Sequence, residues 1–442
     1  MPLFKLGNTK VPHRKNTALS ESVRMPAQAS VLIPLSQHIG APAAPTVKVG
    51  DEVFVGTLIG EATGFVSAPV HSSVSGKVTK IEELLNPQGR GVVAVRIESD
   101  GNMTPDPSLT APTVTTLDEL VEAARACGLV GLGGAGFPTA VKLAAAKSGK
   151  IDRIILNGAE CEPYITSDTR TMLEDADLVA DGVRLFLSLI PEARAIIGIE
   201  KNKPECISAM REALANEARA EVSELITRYP QGAEKVLVYN VTDRVVPEGK
   251  LPSDVGCIVI NVTTVAALMR YIATGMPLTE KRVTLDGSAV KNPMNIIVPV
   301  GTSIKDIVEF AGGYSEEPGK ILLGGPMMGV ALYTDEYPIM KNTNAVVVMN
   351  KRDAEPKRTV ACIHCGRCVM ACPMGLNPTA FAKALNVDDH TDRAERLLAA
   401  KINICMECGC CSYVCPSARP LVENNRMAKN ELREYLAAEK KK

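Results

Sequence analysis

Nine of the chain's 13 cysteines lie between Cys362 and Cys415. They form two runs of one pattern. In the first, Cys362, Cys365 and Cys368 are each separated by two residues, Cys372 comes after three more, and Pro373 closes the run. Cys405, Cys408, Cys411, Cys415 and Pro416 repeat it. Three thiolates in one tight loop supply three corners of a [4Fe–4S] cube, and a fourth must come from elsewhere. Structural zinc also uses C-x2-C pairs, but two complete copies with a trailing proline favour cubes. Cys410 falls inside the second run off its spacing and reads as a bystander. His364 sits between two ligands, where it either tunes a cluster by hydrogen bonding or simply faces solvent. Cys127, Cys161, Cys206 and Cys257 lack ligand spacing and read as small buried residues.

A second constellation lies upstream. Gly131, Gly133 and Gly136 fit G-x-G-x-x-G. A dinucleotide fingerprint should follow a strand and open a helix. Here a helical pattern precedes it, so the pattern alone could be a turn. The glycines, Gly134 included, would still let backbone N–H groups approach a phosphate, and the next helix N-terminus favours an anion. Lys142 lies in that helix, within reach of a phosphate. After the apolar run IIL come Asn157, Glu160 and Glu162. Polar residues at the C-terminal ends of parallel strands are where α/β sheets bind ligands. The two carboxylates could hydrogen-bond a ribose or a nicotinamide, and are the candidate catalytic pair; a solvated loop is the alternative. Glu200 and Asn261 end two further strands, and with the glycines they suggest one pocket.

The elements that must position these groups fall into four regions within a multidomain α/β chain. Residues 1–110 read as all-β, with short Val/Ile runs cut by Gly, Pro and Ser, and 100–114 as a Pro/Ser/Thr-rich linker. Region 111–275 alternates helix and strand signals. Thr116 and Glu119 form a capping box, Pro138 and Gly149 bracket a helix, and IDRIILN, ARAIIGIE, KVLVYNV and CIVINV read as buried strands of a mainly parallel sheet. Region 276–345 reads as a small β-rich domain with one helix, Ser303 to Phe310. Region 346–442 is helical and cysteine-rich, with NPTAFAKAL and DRAERLLAAK as helices between the cysteine runs. From Lys351 to Lys442 there are 16 basic and 11 acidic residues, a surplus of five. That surplus is either a solvated helical surface or a docking patch.

Composition narrows the function. Over 442 residues, 46% are apolar and 22% charged, as in folded soluble chains. The net charge is −1, aromatics are 4% and Trp is absent. No global field draws the chain to nucleic acid or lipid, and stacking platforms for single strands are unsupported. No run of about 18 apolar residues spans a membrane. The stretch MPLFKLGNTKVPHRKN lacks a secretory core, which places the chain in the cytoplasm.

Several segments resemble known families. VKVGDEVFVGTLIGE with SAPVHSSVSGKVTKI resembles the lipoyl/biotinyl barrel-sandwich hybrids. The segment EATGFVSAPV holds no Lys at the carrier position, and Lys77 falls in the following strand, so no lipoylation is expected. Region 276–345 resembles the β-grasp domain called SLBB. The cysteine runs resemble two-cluster ferredoxins, in which the last cysteine of each run crosses to the other cube. That resemblance implies Cys362, Cys365, Cys368 and Cys415 for cluster 1, and Cys405, Cys408, Cys411 and Cys372 for cluster 2. GLVGLGGAGFPTAVKL followed by NGAECEPY resembles the flavin- and NADH-binding subunit of respiratory complex I. This implies a Rossmann-like domain holding FMN and NAD(H) between Gly131, Gly133, Gly134, Gly136, Lys142, Asn157, Glu160, Glu162 and Asn261. An acidic residue common in that family is Ala159 here, which removes one flavin hydrogen bond. VPHRKNTA, IPLSQHIGAPA, AECEPYITSD and GGPMMG extend the likeness to the RnfC family of Rnf complexes, membrane-bound ferredoxin:NAD+ oxidoreductases. The resemblance implies a peripheral subunit on the cytoplasmic face, held by the other Rnf subunits. It would exchange electrons between NAD(H), FMN and two [4Fe–4S] clusters, and reach ferredoxin only through the complex, which exports Na+ or H+. A cobalamin or flavin reductase with the same path is the alternative, and a non-catalytic cluster-bearing adaptor is a third reading.

Overall fold

The computed structural model describes residues 7–439, so Met1 to Leu6 of the N-terminal stretch and the last three lysines lie outside the described residues. The first region packs two small antiparallel sheets face to face. One is ordered Ser30–Pro34, Gly91–Ser99, Gly76–Leu85, Glu52–Val53, and the other Ala44–Pro45, Leu58–Glu61, Val70–His71. Alternate residues Val31, Ile33 and Leu35 point inward and meet Ile59, Val78 and Ile97. Lys77 lies in the strand Gly76–Leu85. The tract 100–114 is not a free tether. Val55 bridges Pro105, Thr57 donates to Asp106 at 2.5 Å, and Thr110 presses on Gly275.

The central sheet is four-stranded and wholly parallel, in the order Ala220–Leu225, Arg194–Glu200, Arg153–Gly158, Cys257–Asn261. Strand Arg153–Gly158 is buried on both faces. Ile154 and Leu156 join the core under the helices Leu117–Ala126, Ala176–Leu189 and Val262–Thr274, while Ile155 joins the smaller core under the helix Glu234–Thr242. This explains the continuous apolar runs. One expectation needs correction: KVLVYNV is not a strand but most of that helix. Its valines looked β-forming, but Val236, Leu237 and Val238 are the buried residues, and they close one face of the sheet as a single helical turn. The outer strand Ala220–Leu225 takes the place expected for it. The capping box at Thr116 and Glu119 is present, and Gly149 ends its helix in the left-handed conformation, φ +69°.

The chain leaves the sheet in the order middle, middle, edge, then returns to the far side of Arg153–Gly158. The reversal lies between Arg153–Gly158 and Cys257–Asn261, where Asn157 and Asn261 are partners in register. Ligand crevices of open α/β sheets form at such a reversal.

The third unit is a six-stranded mixed sheet, ordered Ser22–Arg24, Met294–Pro299, Glu280–Asp286, Ala345–Asn350, Pro318–Leu323, Val330–Leu332. It takes its edge strand from the N-terminal segment, and its strand Ala345–Asn350 carries it past residue 345. The helix Ile304–Phe310 is capped by Ser303. In the last unit the helices Pro378–Ala384, His390–Ala399 and Leu421–Glu439 enclose Phe381, Leu397 and Ile402. Among the described residues no helix is long and apolar enough to cross a membrane.

Candidate functional site: a glycine-lined cavity against a cysteine cage

A cavity of about 660 Å3 opens at the reversal point of the central sheet. It is lined by Gly131, Gly133, Gly134 and Gly136, by Lys142, and by Asn157, Glu160, Glu162 and Asn261. The opposite wall comes from the last unit and includes Ile404, Cys405 and Met406.

The glycine loop is held on several sides. Gly131 N–H donates to the Phe137 carbonyl at 2.9 Å, Leu132 N–H donates to Thr264 Oγ1 at 3.0 Å, and Ile39 N–H of the barrel module donates to the Gly136 carbonyl at 3.3 Å. Gly133 has no room for a side chain, because a Cβ there would fall 2.5 Å from Asn261 Nδ2. Gly134 has open space in the same place. The cradle thus offers bare backbone to a ligand, as a phosphate or an isoalloxazine edge requires.

Asn261 does two jobs. Its Oδ1 accepts from Thr263 and Thr264 N–H, capping the helix Val262–Thr274, and its Nδ2 donates to Asp168 at 2.7 Å. Asn157 Nδ2 donates to the Gly232 carbonyl at 2.8 Å. Lys142 pairs with Glu234 at 2.5 Å. Lys235 and Lys250 line the same cavity, as do Glu234, Asp168 and the two carboxylates of the acidic loop.

The two carboxylates behave differently from the expected catalytic pair. Glu160 is 9% exposed, and both its oxygens are taken. Oε1 accepts from Asp168 N–H at 2.6 Å, and Oε2 from Thr169 N–H and Oγ1. It caps the N-terminus of the helix Ser167–Glu174. Burial raises its pKa, and Lys15, 4.0 Å away, opposes that. Glu162 accepts from the backbone N–H groups of Met327 and Met328, at 3.1 and 2.8 Å, and from Tyr229 OH at 3.4 Å. Burial lifts its pKa to about 7. Glu162 therefore fastens the GGPMMG loop of the third unit to the cavity. Glu200 is the one candidate outside the cavity. It is fully buried behind the acidic loop, 3.3 Å from Lys203, and accepts from Arg228 N–H. It lies two residues past Gly198, the register partner of Asn157, which in turn pairs with Asn261, and its carboxylate is turned to Lys203.

Sequence reasoning missed four contributors. Asp168 lines the cavity and receives Asn261 Nδ2 and Thr263 Oγ1; its place in AECEPYITSD was the available signal. Tyr229 packs among Cys161, Cys408, Cys410 and Met327, so it stands between the cavity and the second cysteine run. Lys203 donates to the Ala159 carbonyl at 2.7 Å. Lys15 reaches the acidic loop from the N-terminal segment. For Lys15 the segment VPHRKNTA was the available signal, and neither Tyr229 nor Lys203 carries a local motif.

The cysteines group across the two runs. Cys372 lines one small cavity with Cys405, Cys408 and Cys411. Cys368 packs with Cys415 in a small cluster that also takes in Cys411. Asn425 Nδ2 donates to Cys405 Sγ at 3.5 Å, and Leu376 N–H to Cys372 Sγ at 3.3 Å; such donors stabilise sulfur that carries charge. Cys410 lines that small cavity too, but its thiol donates to the Tyr229 carbonyl at 3.7 Å. His364 is exposed. An all-thiol donor set in two loops of this pattern fits iron–sulfur cubes, and the bare glycine cradle beside cationic side chains fits a flavin phosphate.

Comparison with known proteins agrees in chain order. Residues 4–102 match the RnfC barrel sandwich hybrid domain, 124–270 the Nuo51 FMN-binding domain, 282–331 the SLBB domain and 361–418 the 4Fe-4S dicluster domain. The C component of the Na(+)-translocating ferredoxin:NAD(+) oxidoreductase complex of Acetobacterium woodii is 43% identical over 88% of this chain and 87% of its own length. The corresponding component of the proton-translocating ferredoxin:NAD(+) oxidoreductase complex of Clostridium ljungdahlii is 43% identical over 84% of this chain and 81% of its own. A crystal structure of an NAD+-reducing [NiFe]-hydrogenase in the air-oxidised state shares the fold, with TM-score 0.51 and 19% identity over 72% of this chain and 62% of that one.

Proposed function

Because this chain belongs to the RnfC family of ion-translocating ferredoxin:NAD(+) oxidoreductase complexes, we propose that its cavity is where NAD(H) meets the flavin and where electrons pass to the clusters. The chain is an electron-transfer subunit of such a complex and carries FMN and [4Fe–4S] clusters. The observation that carries the finer reading is the cavity itself, which runs without a break from the glycine loop to Cys405.

Gly131, Gly133, Gly134 and Gly136 present backbone to the flavin, and Asn157 and Asn261 offer amides at its edge. Lys142, Lys235 and Lys250 attract the phosphates of flavin and nucleotide at the mouth. When bound, the flavin supplies the exchange between a hydride and single electrons. Glu162 and Tyr229 join the cavity wall to the cage of Cys405, Cys408, Cys411 and Cys372, which excludes water from the gap. Cys362, Cys365, Cys368 and Cys415 hold the outer cluster. Cys365 is exposed, beside Ile363 and Met370 at 65% and 70% exposure and beside exposed Lys357, Arg358 and Arg367. This face is the exit to the partner subunits, which hold the chain at the cytoplasmic face of the membrane.

Anaerobic protein reconstituted with iron, sulfide and FMN tests the proposal. NADH should bleach both flavin and cluster absorbance. Clusters that answer dithionite but not NADH would overturn it.

A further inference from the structure

The acidic loop, residues 159–166, adopts a backbone that its own sequence does not favour. Glu160 and Tyr164 both sit at positive φ, +46° and +71°, without being glycine. Such conformations persist only where the surroundings over-determine them. The determinants come from about 150 residues upstream. Lys15 Nζ donates to three backbone carbonyls of the loop, those of Glu160 at 2.8 Å, Glu162 at 2.9 Å and Ile165. Its side chain is 13% exposed. Tyr164 N–H donates to the His13 carbonyl at 3.0 Å, and Arg14 Nη1 donates to Tyr164 OH at 2.7 Å while its guanidinium lies over the ring. Thr17 and Thr166 hydroxyls meet at 2.6 Å.

We propose that Lys15 is a positioning residue of the cofactor site. A three-carbonyl grip by one ammonium fixes the loop that aims Glu160 at the helix Ser167–Glu174 and Glu162 at the GGPMMG loop. The grip is specific to a charged, multiply donating head: a neutral side chain leaves three buried carbonyls short of a donor. Lys203 fastens the start of the same loop through the Ala159 carbonyl, so the loop is held from two sides and Lys15 governs its far half. The N-terminal segment is thereby part of the cofactor site, although none of its described residues lines the cavity. The inference rests on reading the cavity as the flavin site, and its test separates the two.

The full chain carrying K15M, K15Q or K15R is reconstituted with clusters and stripped of flavin. Amide hydrogen exchange is then followed over residues 160–166, and FMN is titrated. For K15M, loop exchange should speed up and FMN should bind at least about tenfold more weakly, the loss of one charge-assisted hydrogen bond. Cluster content should not change, and K15R should restore most of both effects. K15Q carries the same test if K15M does not fold. Unchanged loop exchange in the neutral variants, or K15R as defective as K15M, would overturn the role of Lys15. Faster loop exchange with FMN affinity unchanged would sustain the grip and overturn the flavin reading of the cavity instead.

Discussion

A methyl group at residue 133 would strike an amide that cannot move freely, since Asn261 caps one helix and holds Asp168. Overpacking of this kind costs about 1–3 kcal/mol. Gly133→Ala should therefore weaken FMN binding by roughly tenfold or more, read by flavin titration, and should also lower the stability of the flavin-free protein, which Gly134→Ala, with no protein atom near the added methyl, should not. The cysteine grouping makes a sharper prediction. Cys372→Ser should damage the cluster of Cys405, Cys408 and Cys411, and Cys415→Ser the cluster of Cys362, Cys365 and Cys368. Paramagnetic resonance of the reduced variants distinguishes them, and damage confined to each residue's own run would reverse the pairing. Glu162 gives a pH signature. Its folded pKa of about 7 lies above the reference 4.5, so the folded state holds the proton more tightly. Stability from this group is complete below pH 4.5 and is lost as pH rises through 7. Glu162→Gln removes that dependence. Whatever its constant offset, the gap in unfolding free energy, read by denaturant melts, should move in the variant's favour between about pH 4.5 and 8, by an amount bounded at about 3 kcal/mol.

At the scale of elements, the helix Ser167–Glu174 depends on a side chain from the loop before its start. Glu160 supplies the cap that Thr166 does not. Glu160→Ala should cost roughly 1–2 kcal/mol of stability and loosen the helix in hydrogen exchange. Glu160→Gln should keep its turnover far better than a proton-transfer role would allow, since both carboxylate oxygens are already engaged. Legibility follows the range of the interactions. The glycine loop, the capping box at Thr116 and both cysteine runs are local patterns, and the sequence displays them in full. KVLVYNV misled because a buried helical turn and a buried strand share the same apolar residues, and only the sheet's need for a cover on its second face decides between them. Glu200 misled because ending a strand of the right sheet does not by itself turn a side chain toward the crevice. Lys203 and Tyr229 were invisible, and Lys15 was visible only as part of VPHRKNTA, because their roles are made by contacts across the fold.

For the whole molecule, the arrangement is a chain of junctions. The barrel module touches the glycine loop at Gly136, the third unit reaches the cavity through Met327 and Met328, and the last unit closes it with Cys405. Cys365 of the first run is exposed among exposed apolar and basic residues, and the sequence's surplus of five positive charges falls in this unit. Reversing Lys357, Arg358 and Arg367 together should impair assembly with the membrane partners and raise sensitivity to salt, with flavin and cluster content intact; co-purification with the complex is the readout. Relatives identical at 43% over most of the chain, together with the matched N-terminal barrel module, leave the cobalamin-reductase alternative without a feature of its own.

The proposed path runs from nucleotide through flavin to the Cys405 cluster and out through the Cys362 cluster, all within one chain. Its most direct test is rapid mixing of the anaerobic, fully reconstituted protein with NADH, following flavin and cluster absorbance separately. Flavin should bleach first, the clusters should follow at a common later rate, and flavin-free protein should show no cluster reduction. Cluster reduction by NADH without flavin, or flavin reduction that never reaches the clusters, would contradict it.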